Sequence, residues 1–295
     1  MKVDVPLVSV GMPVYNGQEF LRAAIDSLLA QTFTDFELIL CDNASTDATE
    51  AICREYAARD SRVQYYRHAE NIGASDNYNA VVFPARGSYF KWTSSNDICQ
   101  PAFLERCVAV LNAHPDVVLA FPRTRLIDPQ GRVIEDYNDD MSISDTRPSA
   151  RYRACIERMR LNNVMNGLIR TDSLRRTTLV KKYFSSDCNM MAEVALYGKF
   201  VEVPEYLYYR RMDPRTSTAL KSGDEVVAHY DPKRRKPMLF QQWKMNFARF
   251  GVVWRAALPL GERARLAAYI GRCIVWHRRN LANDVSTAIK YLLAA

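Results

Sequence analysis

The sequence lacks the patterns that give cysteine or histidine a structural or catalytic role. Its seven cysteines include no CxxC pair, and the N-terminus shows no secretory signal. Both observations favour reduced thiols in the cytoplasm. The four histidines have no metal-ligand spacing, and no Ser-His-Asp pattern appears. The chain also has no apolar run of about 18 residues, so we expect no membrane-spanning helix.

Two nucleotide-binding motifs are also missing. GxGxxG does not occur, which disfavours a dinucleotide oxidoreductase, and no glycine-rich opening loop of the kind expected in a nucleotidyltransferase is present. At 295 residues and 48% hydrophobic composition the chain can nevertheless bury a substantial core. We expect one large α/β domain with an appendage.

Residues 6–49 contain the most informative pattern, a strand-helix-strand unit. The apolar run Leu7–Val10 ends in the turn Met12–Gly17, and a segment with helical periodicity follows. A second apolar run, Phe36–Leu40, leads directly into the polar segment Cys41–Asp47. Open α/β sheets bind nucleotides beyond the carboxyl ends of their strands. The unit therefore predicts both the type of domain and the position of its ligand.

Strand and helix patterns alternate up to residue 209, which predicts an α/β fold with a mostly parallel central sheet flanked by helices. Strands are expected over 117–121 and near 164–169. Residues 128–150 are rich in Asp, Pro, Ser and Asn and are expected to form an irregular loop over the site. We place a catalytic domain at 1–225 and a basic helical region at 226–295.

Several short motifs occur in the order and spacing of a known family. They are Pro13–Gly17, Gln31–Phe33, Asp42–Asp47, Asn71–Gly73, Gly87–Phe90, Ser94–Asp97 and Val203–Glu205. Together they resemble the inverting family 2 glycosyltransferases, which have the GT-A fold, over residues 6–217. The resemblance implies transfer of a sugar from a nucleotide-diphosphate donor, UDP by default with dTDP and GDP as alternatives, to an acceptor hydroxyl. It further implies a glycan or lipid-linked acceptor, a role in bacterial polysaccharide or glycolipid synthesis, and a place in the cytoplasm or at the inner face of the cell membrane.

The resemblance assigns the nucleoside end of the donor site to the first strand ends. In the family, the aspartate matching Asp42 accepts from the ring N–H of uracil or thymine, which suits an acceptor-only carboxylate; the alternative is that Asp42 and Asp47 cap the next helix. Asn71 and Gly73 match the loop beside the ribose, although a turn with positive φ also explains Gly73. The other residues assigned to the nucleotide are Pro13, Val14, Tyr15, Asn16, Asn43, Ser94, Ser95, Asn96 and Arg211.

The segment Ser94–Asp97 departs from the family pattern. The family usually has Asp-Ala-Asp-Asp there, whose carboxylates hold a divalent metal against the diphosphate, whereas this chain keeps only the last acid. A second departure puts Asp213 where the family often has a histidine. We predict an all-oxygen site for Mn²⁺ or Mg²⁺ made of Asp97, Asn96 and Asp213. The alternative is that arginines carry the phosphate charge. The candidate arginines are Arg210, Arg211 and Arg215.

Asp187 is the predicted catalytic base. It matches an acidic residue at the start of a helix that, in the family, takes a proton from the acceptor hydroxyl as this hydroxyl attacks the anomeric carbon. Displacement in line, without a protein nucleophile, inverts the anomeric configuration. The alternative role of Asp187 is a helix N-cap. Glu193 lies nearly two turns further along the same helix and is a second candidate for that face.

The C-terminal part of the chain is strongly basic. From Tyr206 onward there are 17 Lys and Arg against 6 Asp and Glu, a net of +11, so residues 1–205 carry 7 − 11 = −4. Tryptophans among these cations favour a helix in a membrane interface; the alternative is a helical subdomain packed on the catalytic domain or on a partner subunit, and homo-oligomer formation stays open. No nucleic-acid motif accompanies the charge. Two function classes fit the sequence: a transferase, and a GT-A-like nucleotide-sugar-binding module with weakened chemistry.

Overall fold

The computed structural model describes residues 5–213, 223–234 and 236–294, and within them nine strands form one sheet against which the helices pack. The strands are β1 (Val8–Val14), β2 (Phe36–Asp42), β3 (Val63–Arg67), β4 (Tyr89–Trp92), β5 (Ile98–Cys99), β6 (Val117–Ile127), β7 (Val133–Tyr137), β8 (Leu168–Arg170) and β9 (Lys199–Arg211). The helices are α1 (Leu21–Leu29), α2 (Thr49–Arg59), α3 (Ala74–Ala80), α4 (Phe103–Ala113), α5 (Pro148–Arg158), α6 (Thr171–Arg175), α7 (Ser186–Tyr197), α8 (Gly223–Tyr230), α9 (Gln241–Arg255), α10 (Leu260–Trp276) and α11 (Arg278–Ala294). This architecture confirms the predicted α/β class.

The order of strands across the sheet is β3-β2-β1-β4-β8-β6-β9-β5, and β7 pairs with β6. The first four strands are all parallel, as the strand-helix-strand pattern predicts. The second half is mixed, because β8 and β5 run antiparallel to their neighbours while β6 and β9 pair in parallel. The parallel half therefore carries the predicted nucleotide-binding edge.

The two central strands are buried along their whole length. Every residue of β1 and β2 is buried, as expected for parallel strands that are covered on both faces. Leu21, Ile25 and Leu28 form the buried stripe of α1 and join the same apolar cluster as β1. The continuous apolar runs of the sequence thus correspond to the centre of the sheet.

The region from 128 to 150 is not the irregular loop that the sequence predicts. It contains β7, which forms a hairpin with β6, and β6 itself extends to Ile127 rather than ending at residue 121. The Asp128 carboxylate accepts from the backbone N–H groups of Gln130 and Arg132 at 2.9 Å, and Gly131 has φ +84°. Turn residues of this kind mark hairpins as well as loops. The strand expected near 164–169 is a 3-10 turn (Asn163–Asn166) followed by the short β8.

The C-terminal helices share a core with the sheet-covering helices. Val252 and Val253 of α9 and Leu266 and Ile270 of α10 lie in the same apolar cluster as Met190 of α7. One side of the C-terminal helices therefore packs on the rest of the protein, and the domain boundary at residue 225 stays a prediction. Among the residues described, no helix combines the length and apolarity needed to cross a bilayer.

Candidate active site

A cavity of about 490 Å³ lies beyond the carboxyl end of β4. Its walls come from the loop after β4, the segment between α5 and β8, the start of α7, the end of β9 and helix α8. Six predicted site residues line it: Ser94, Asn96, Asp97, Asp187, Arg210 and Arg211. The structure thus brings the predicted base and the remnant of the acidic motif to one cavity, although they are 90 residues apart in the sequence (187 − 97).

The predicted nucleoside residues form a separate hydrogen-bonded group at the same edge of the sheet. The Asn43 side chain donates to Asn71 Oδ1 at 2.8 Å and accepts from the Ile72 N–H at 2.9 Å. Asn16 accepts from the Thr46 N–H at 2.9 Å, while its own N–H donates to Ser45 Oγ. Members of this group that do not line the 490 Å³ cavity are Pro13, Val14, Tyr15, Asn16, Asp42, Asn43, Asn71 and Gly73. Ser95 and Asp213 also lie outside its lining.

Gly73 lies close to Tyr230, the last residue of α8, and to Pro232 just after it. Its φ is +86°, a conformation that side chains disfavour. A Cβ at this position would stand 2.4 Å from the carbonyl oxygen of Tyr230. Both explanations offered by the sequence, a positive-φ turn and a close approach at the ribose loop, are compatible with this geometry.

The Asp42 carboxylate is fully buried and has three neighbours. It accepts from the Ser45 N–H and from the Tyr65 hydroxyl, both at 2.9 Å, and Arg67 Nε lies 3.3 Å away. Burial, followed by the hydrogen bond to Asp42, raises the pKa of Tyr65. Asp47, not Asp42, accepts from the Thr49 N–H at the start of α2, at 2.9 Å. A role of Asp42 in reading a base stays a prediction.

Tyr15 has an exposed side chain among the predicted nucleoside residues. It is 49% exposed, whereas Val14 and Asp42 are buried. An exposed ring next to a strand end is available for stacking on a planar ligand. The ring of Tyr15, one of the residues assigned to the nucleotide, is thus sterically accessible to such a ligand.

The three residues of the predicted metal site do not present free oxygens together. Asp97 is buried, and its carboxylate accepts from the Tyr208 hydroxyl and from the Arg211 N–H, the latter at 2.8 Å. The Asn96 amide oxygen accepts from the Ser94 hydroxyl. Burial raises the pKa of Asp97, against the opposing hydrogen bond from Tyr208. The described part of the chain contains no group of three His, Cys, Asp or Glu that could hold a metal ion, and the side-chain oxygens of Asp97 and Asn96 already accept hydrogen bonds.

The arginines at the cavity differ in how they are held. Arg211 donates to the main-chain carbonyls of Asn96, Asp128 and Pro129 at 2.7–2.9 Å and stacks on Phe20. Two further arginines line the cavity. Arg210 donates to the Leu161 carbonyl and to Asn163 Oδ1, whereas the exposed Arg160 has no hydrogen-bond or ion-pair partner in the described part of the chain. Arg215 lies outside the described residues.

Asp187 lies in the first turn of α7, and its carboxylate accepts a 2.7 Å hydrogen bond from Asn162 Nδ2. The N-cap of this helix is Ser185, so the capping alternative for Asp187 does not describe its position. Burial raises the pKa of Tyr230 to about 12, with the nearby Asp187 charge as the second cause. The Asp187 carboxylate is thus held by an amide and lines the same cavity as Tyr230.

Glu193 does not share the cavity with Asp187. It is buried, accepts from Thr178, and lies 2.9 Å from an Arg255 nitrogen on α9. Burial raises its pKa. Glu193 therefore joins α7 to the C-terminal helices and is not a second base.

The cavity also contains residues that the sequence does not single out. Asn162 has a left-handed backbone (φ 49°, ψ 37°), which asparagine tolerates better than most residues. It lies in the turn between α5 and β8, but nothing local in the sequence connects it to a residue 25 positions later. The other unpredicted lining residues with polar side chains include Tyr78, Arg160, Tyr208 and Tyr230.

Comparison with known proteins identifies the family. A family model described as glycosyl transferase family 2 matches residues 9–184, which is more than half of the chain. The chain belongs to glycosyl transferase family 2. The predicted resemblance is thereby confirmed, and the match ends three residues before Asp187 (187 − 184).

Related sequences carry glycosyltransferase names. This family 2 chain is 32% identical over 141 residues to an uncharacterized glycosyltransferase of Methanocaldococcus jannaschii, covering 47% of this chain and 49% of that protein. It is 33% identical over 135 residues to a chondroitin synthase of Escherichia coli, covering 45% of this chain and 20% of that protein. The matched region thus spans about half or less of these relatives' own lengths.

Solved structures resemble the family 2 chain over most of its length. TarS 1–349 of S. aureus in complex with UDP-GlcNAc has a TM-score of 0.65 at 16% identity, covering 92% of this chain and 74% of TarS 1–349. The mannosyltransferase PcManGT of Pyrobaculum calidifontis, in complex with GDP-Man and Mn²⁺, has a TM-score of 0.54 at 17% identity, covering 98% and 88%. At these identities the likeness concerns the fold, and it confirms the predicted GT-A architecture.

Proposed function

We propose that this chain transfers a sugar from a nucleoside-diphosphate donor to an acceptor hydroxyl with inversion at the anomeric carbon. The observation that carries the proposal is the position of Asp187, which lines the same cavity as the Ser94–Asp97 loop and has its carboxylate oriented by Asn162. A carboxylate is a competent general base for a hydroxyl that it can reach through a hydrogen bond. Family membership supports the same reaction.

The proposed step needs one base and no protein nucleophile. Asp187 accepts the proton of the acceptor hydroxyl as the hydroxyl oxygen forms a bond to the anomeric carbon. The bond between that carbon and the diphosphate oxygen breaks, and its electron pair leaves with the nucleoside diphosphate. One displacement gives one inversion, and the transition state has oxocarbenium character.

The leaving diphosphate needs positive charge near the cavity. Arg160 is the arginine that we propose for this role, because Arg210 and Arg211, which also line the cavity, already donate to main-chain carbonyls. The predicted Mn²⁺ or Mg²⁺ would have to compete with the Tyr208 hydroxyl and the Arg211 N–H for Asp97. The divalent-cation site therefore stays a prediction.

UDP is the nucleotide that we propose first, with a glycan or lipid-linked acceptor at the cytoplasmic side of the cell envelope. TarS, a structural neighbour, was solved with UDP-GlcNAc, whereas PcManGT was solved with GDP-Man. The exposed ring of Tyr15 and the Asp42 group are our proposed contacts for the base.

The test is release of UDP from a panel of UDP-sugars, with GDP-mannose as the comparison donor. We expect turnover with at least one UDP-sugar and a fall of about 100- to 10,000-fold in kcat for Asp187→Asn, with UDP binding unchanged by calorimetry. Glu157→Gln, a change at an exposed carboxylate of α5 that does not line the cavity, is the control and is expected to keep the wild-type donor affinity. Tight binding of the donor without any turnover would instead support a binding module with weakened chemistry.

A further inference from the structure

Helices α9 and α10 expose large apolar side chains on the side that faces away from the protein core. Trp254 of α9 is 77% exposed and Trp276 of α10 is 57% exposed. The other large apolar residues exposed on these helices are Phe247, Leu260 and Val275. Side chains of this size are rarely left in water as a group without a partner.

The exposed positions follow helical spacing. On α9, Phe247 and Trp254 are seven residues apart, two turns along one face, whereas the core contacts of this helix come from Val252 and Val253. On α10, Arg272 and Trp276 are exposed and lie one turn apart. The core contacts of α10 come from Leu266, Ile270 and Cys273. We call the exposed set Lys244, Phe247, Trp254, Arg272 and Trp276 the outer face.

The charge of this region is strongly positive. Residues 236–294 contain ten Lys and Arg and two Asp and Glu. Both acids have partners within the fold: Glu262 accepts from the Ser149 N–H and pairs with Arg265, and Asp284 accepts from the Gln242 N–H. Among the described residues, Lys244 and Arg272 of the outer face have no carboxylate at ion-pair distance, and Arg272 lies over the Trp276 ring at 5.7 Å.

We propose that the outer face binds an anionic lipid surface, with α9 and α10 lying parallel to the membrane plane. Tryptophan and phenylalanine side chains enter the interfacial region while lysine and arginine contact acidic headgroups. Association of two copies through this face would bring cations against cations, which opposes pairing. The inference goes beyond the proposed transfer reaction and does not depend on it.

Vesicle co-sedimentation of the whole chain tests the proposal. Vesicles of phosphatidylcholine mixed with phosphatidylglycerol are compared with phosphatidylcholine alone, at low and high salt. We expect binding to the anionic vesicles that weakens with salt. Lys244→Gln with Arg272→Gln should weaken binding about 30-fold, since each cation near a membrane surface contributes about fivefold.

The apolar contribution is tested with matched aromatic changes. Trp254→Ser with Trp276→Ser should remove most of the bound fraction, whereas Phe83→Ser, a change at a residue that is 75% exposed outside the outer face, should not alter binding. Far-ultraviolet circular dichroism checks that each variant is folded. Equal binding to neutral and anionic vesicles, or no binding to either, overturns the proposal. A dimer in light scattering that the tryptophan changes dissolve, without vesicle binding, would assign the face to self-association and also overturn it.

Discussion

The side-chain amide of Asn162 donates to the carboxylate of Asp187 over 2.7 Å, from a backbone held in the left-handed region. This contact joins the loop between α5 and β8 to the first turn of α7. Asn162 contacts only Oδ2 of Asp187, and the carboxylate lines the cavity. Asn162 is a positioning residue in this arrangement, because it acts on the reaction only through Asp187.

Removal of the amide should therefore slow the reaction without weakening donor binding. For Asn162→Ala we expect kcat to fall about tenfold or more, since a misoriented base loses part of its contribution, while the Kd for UDP stays the same. The two residues act as a unit, so Asn162→Ala should add little further loss in an Asp187→Asn background. Independent, additive losses in steady-state kinetics would show that Asn162 acts elsewhere.

Arg160 should carry binding energy for the diphosphate. It lines the cavity, whereas its neighbours Arg210 and Arg211 are held by carbonyl groups. Because a hydrogen bond to a charged group contributes about 1.5–3 kcal/mol, Arg160→Gln should weaken UDP binding at least about tenfold in calorimetry. Arg153→Gln is the matched control, since Arg153 pairs with Glu157 on α5 and does not line the cavity. The same affinity in both variants would contradict the assignment.

UDP binding should survive removal of divalent cations. Both polar neighbours of Asp97, the Tyr208 hydroxyl and the Arg211 N–H, occupy its carboxylate. We expect the Kd for UDP in EDTA to lie within about threefold of that in Mn²⁺, a difference below 1 kcal/mol. If binding instead requires Mn²⁺, and Asp213→Ala removes that requirement, the predicted metal site of Asp97, Asn96 and Asp213 is established.

Asp139 should make stability depend on pH. Burial raises its pKa from 3.8 to about 6, although it accepts from Thr124 and from Asn163, both at 2.9 Å. A carboxyl group with a raised folded-state pKa stabilises the fold fully below pH 3.8 and loses that contribution as pH rises through about 6. The unfolding free energy of Asp139→Asn, relative to wild type, should thus increase by up to about 3 kcal/mol between pH 4 and pH 7. Denaturant titrations at both pH values measure it, and a pH-independent difference would refute the assignment.

The sequence predicts the parallel half of the sheet well, for a physical reason. Its strands are buried on both faces, so they appear as continuous apolar runs that end in polar turns. The hairpin of β6 and β7 is missed because its turn residues, Asp128 to Gly131, are the same types that fill irregular loops. Local composition cannot distinguish these two cases.

The candidate site is predictable in its parts but not in its contacts. Asp187 and Asp97 follow from motifs, whereas the partners of Asp97 come from β9, more than 100 residues away. Only the pairing of β5 with β9 brings Tyr208 and Arg211 to that carboxylate. Whether Asp97 can bind a metal ion, as predicted, depends on these tertiary contacts, which spacing along the chain does not reveal.

The approach of Tyr230 to Gly73 has a consequence for anyone exchanging parts between related enzymes. The main-chain carbonyl of Tyr230 lies where any side chain at position 73 would begin. The loop at residues 71–73 and the end of α8 therefore lie in direct contact, although 157 residues separate Gly73 from Tyr230 (230 − 73). A chimera that takes its N-terminal half from one parent and its C-terminal third from another would have to take residues 71–73 and 230–232 from the same parent.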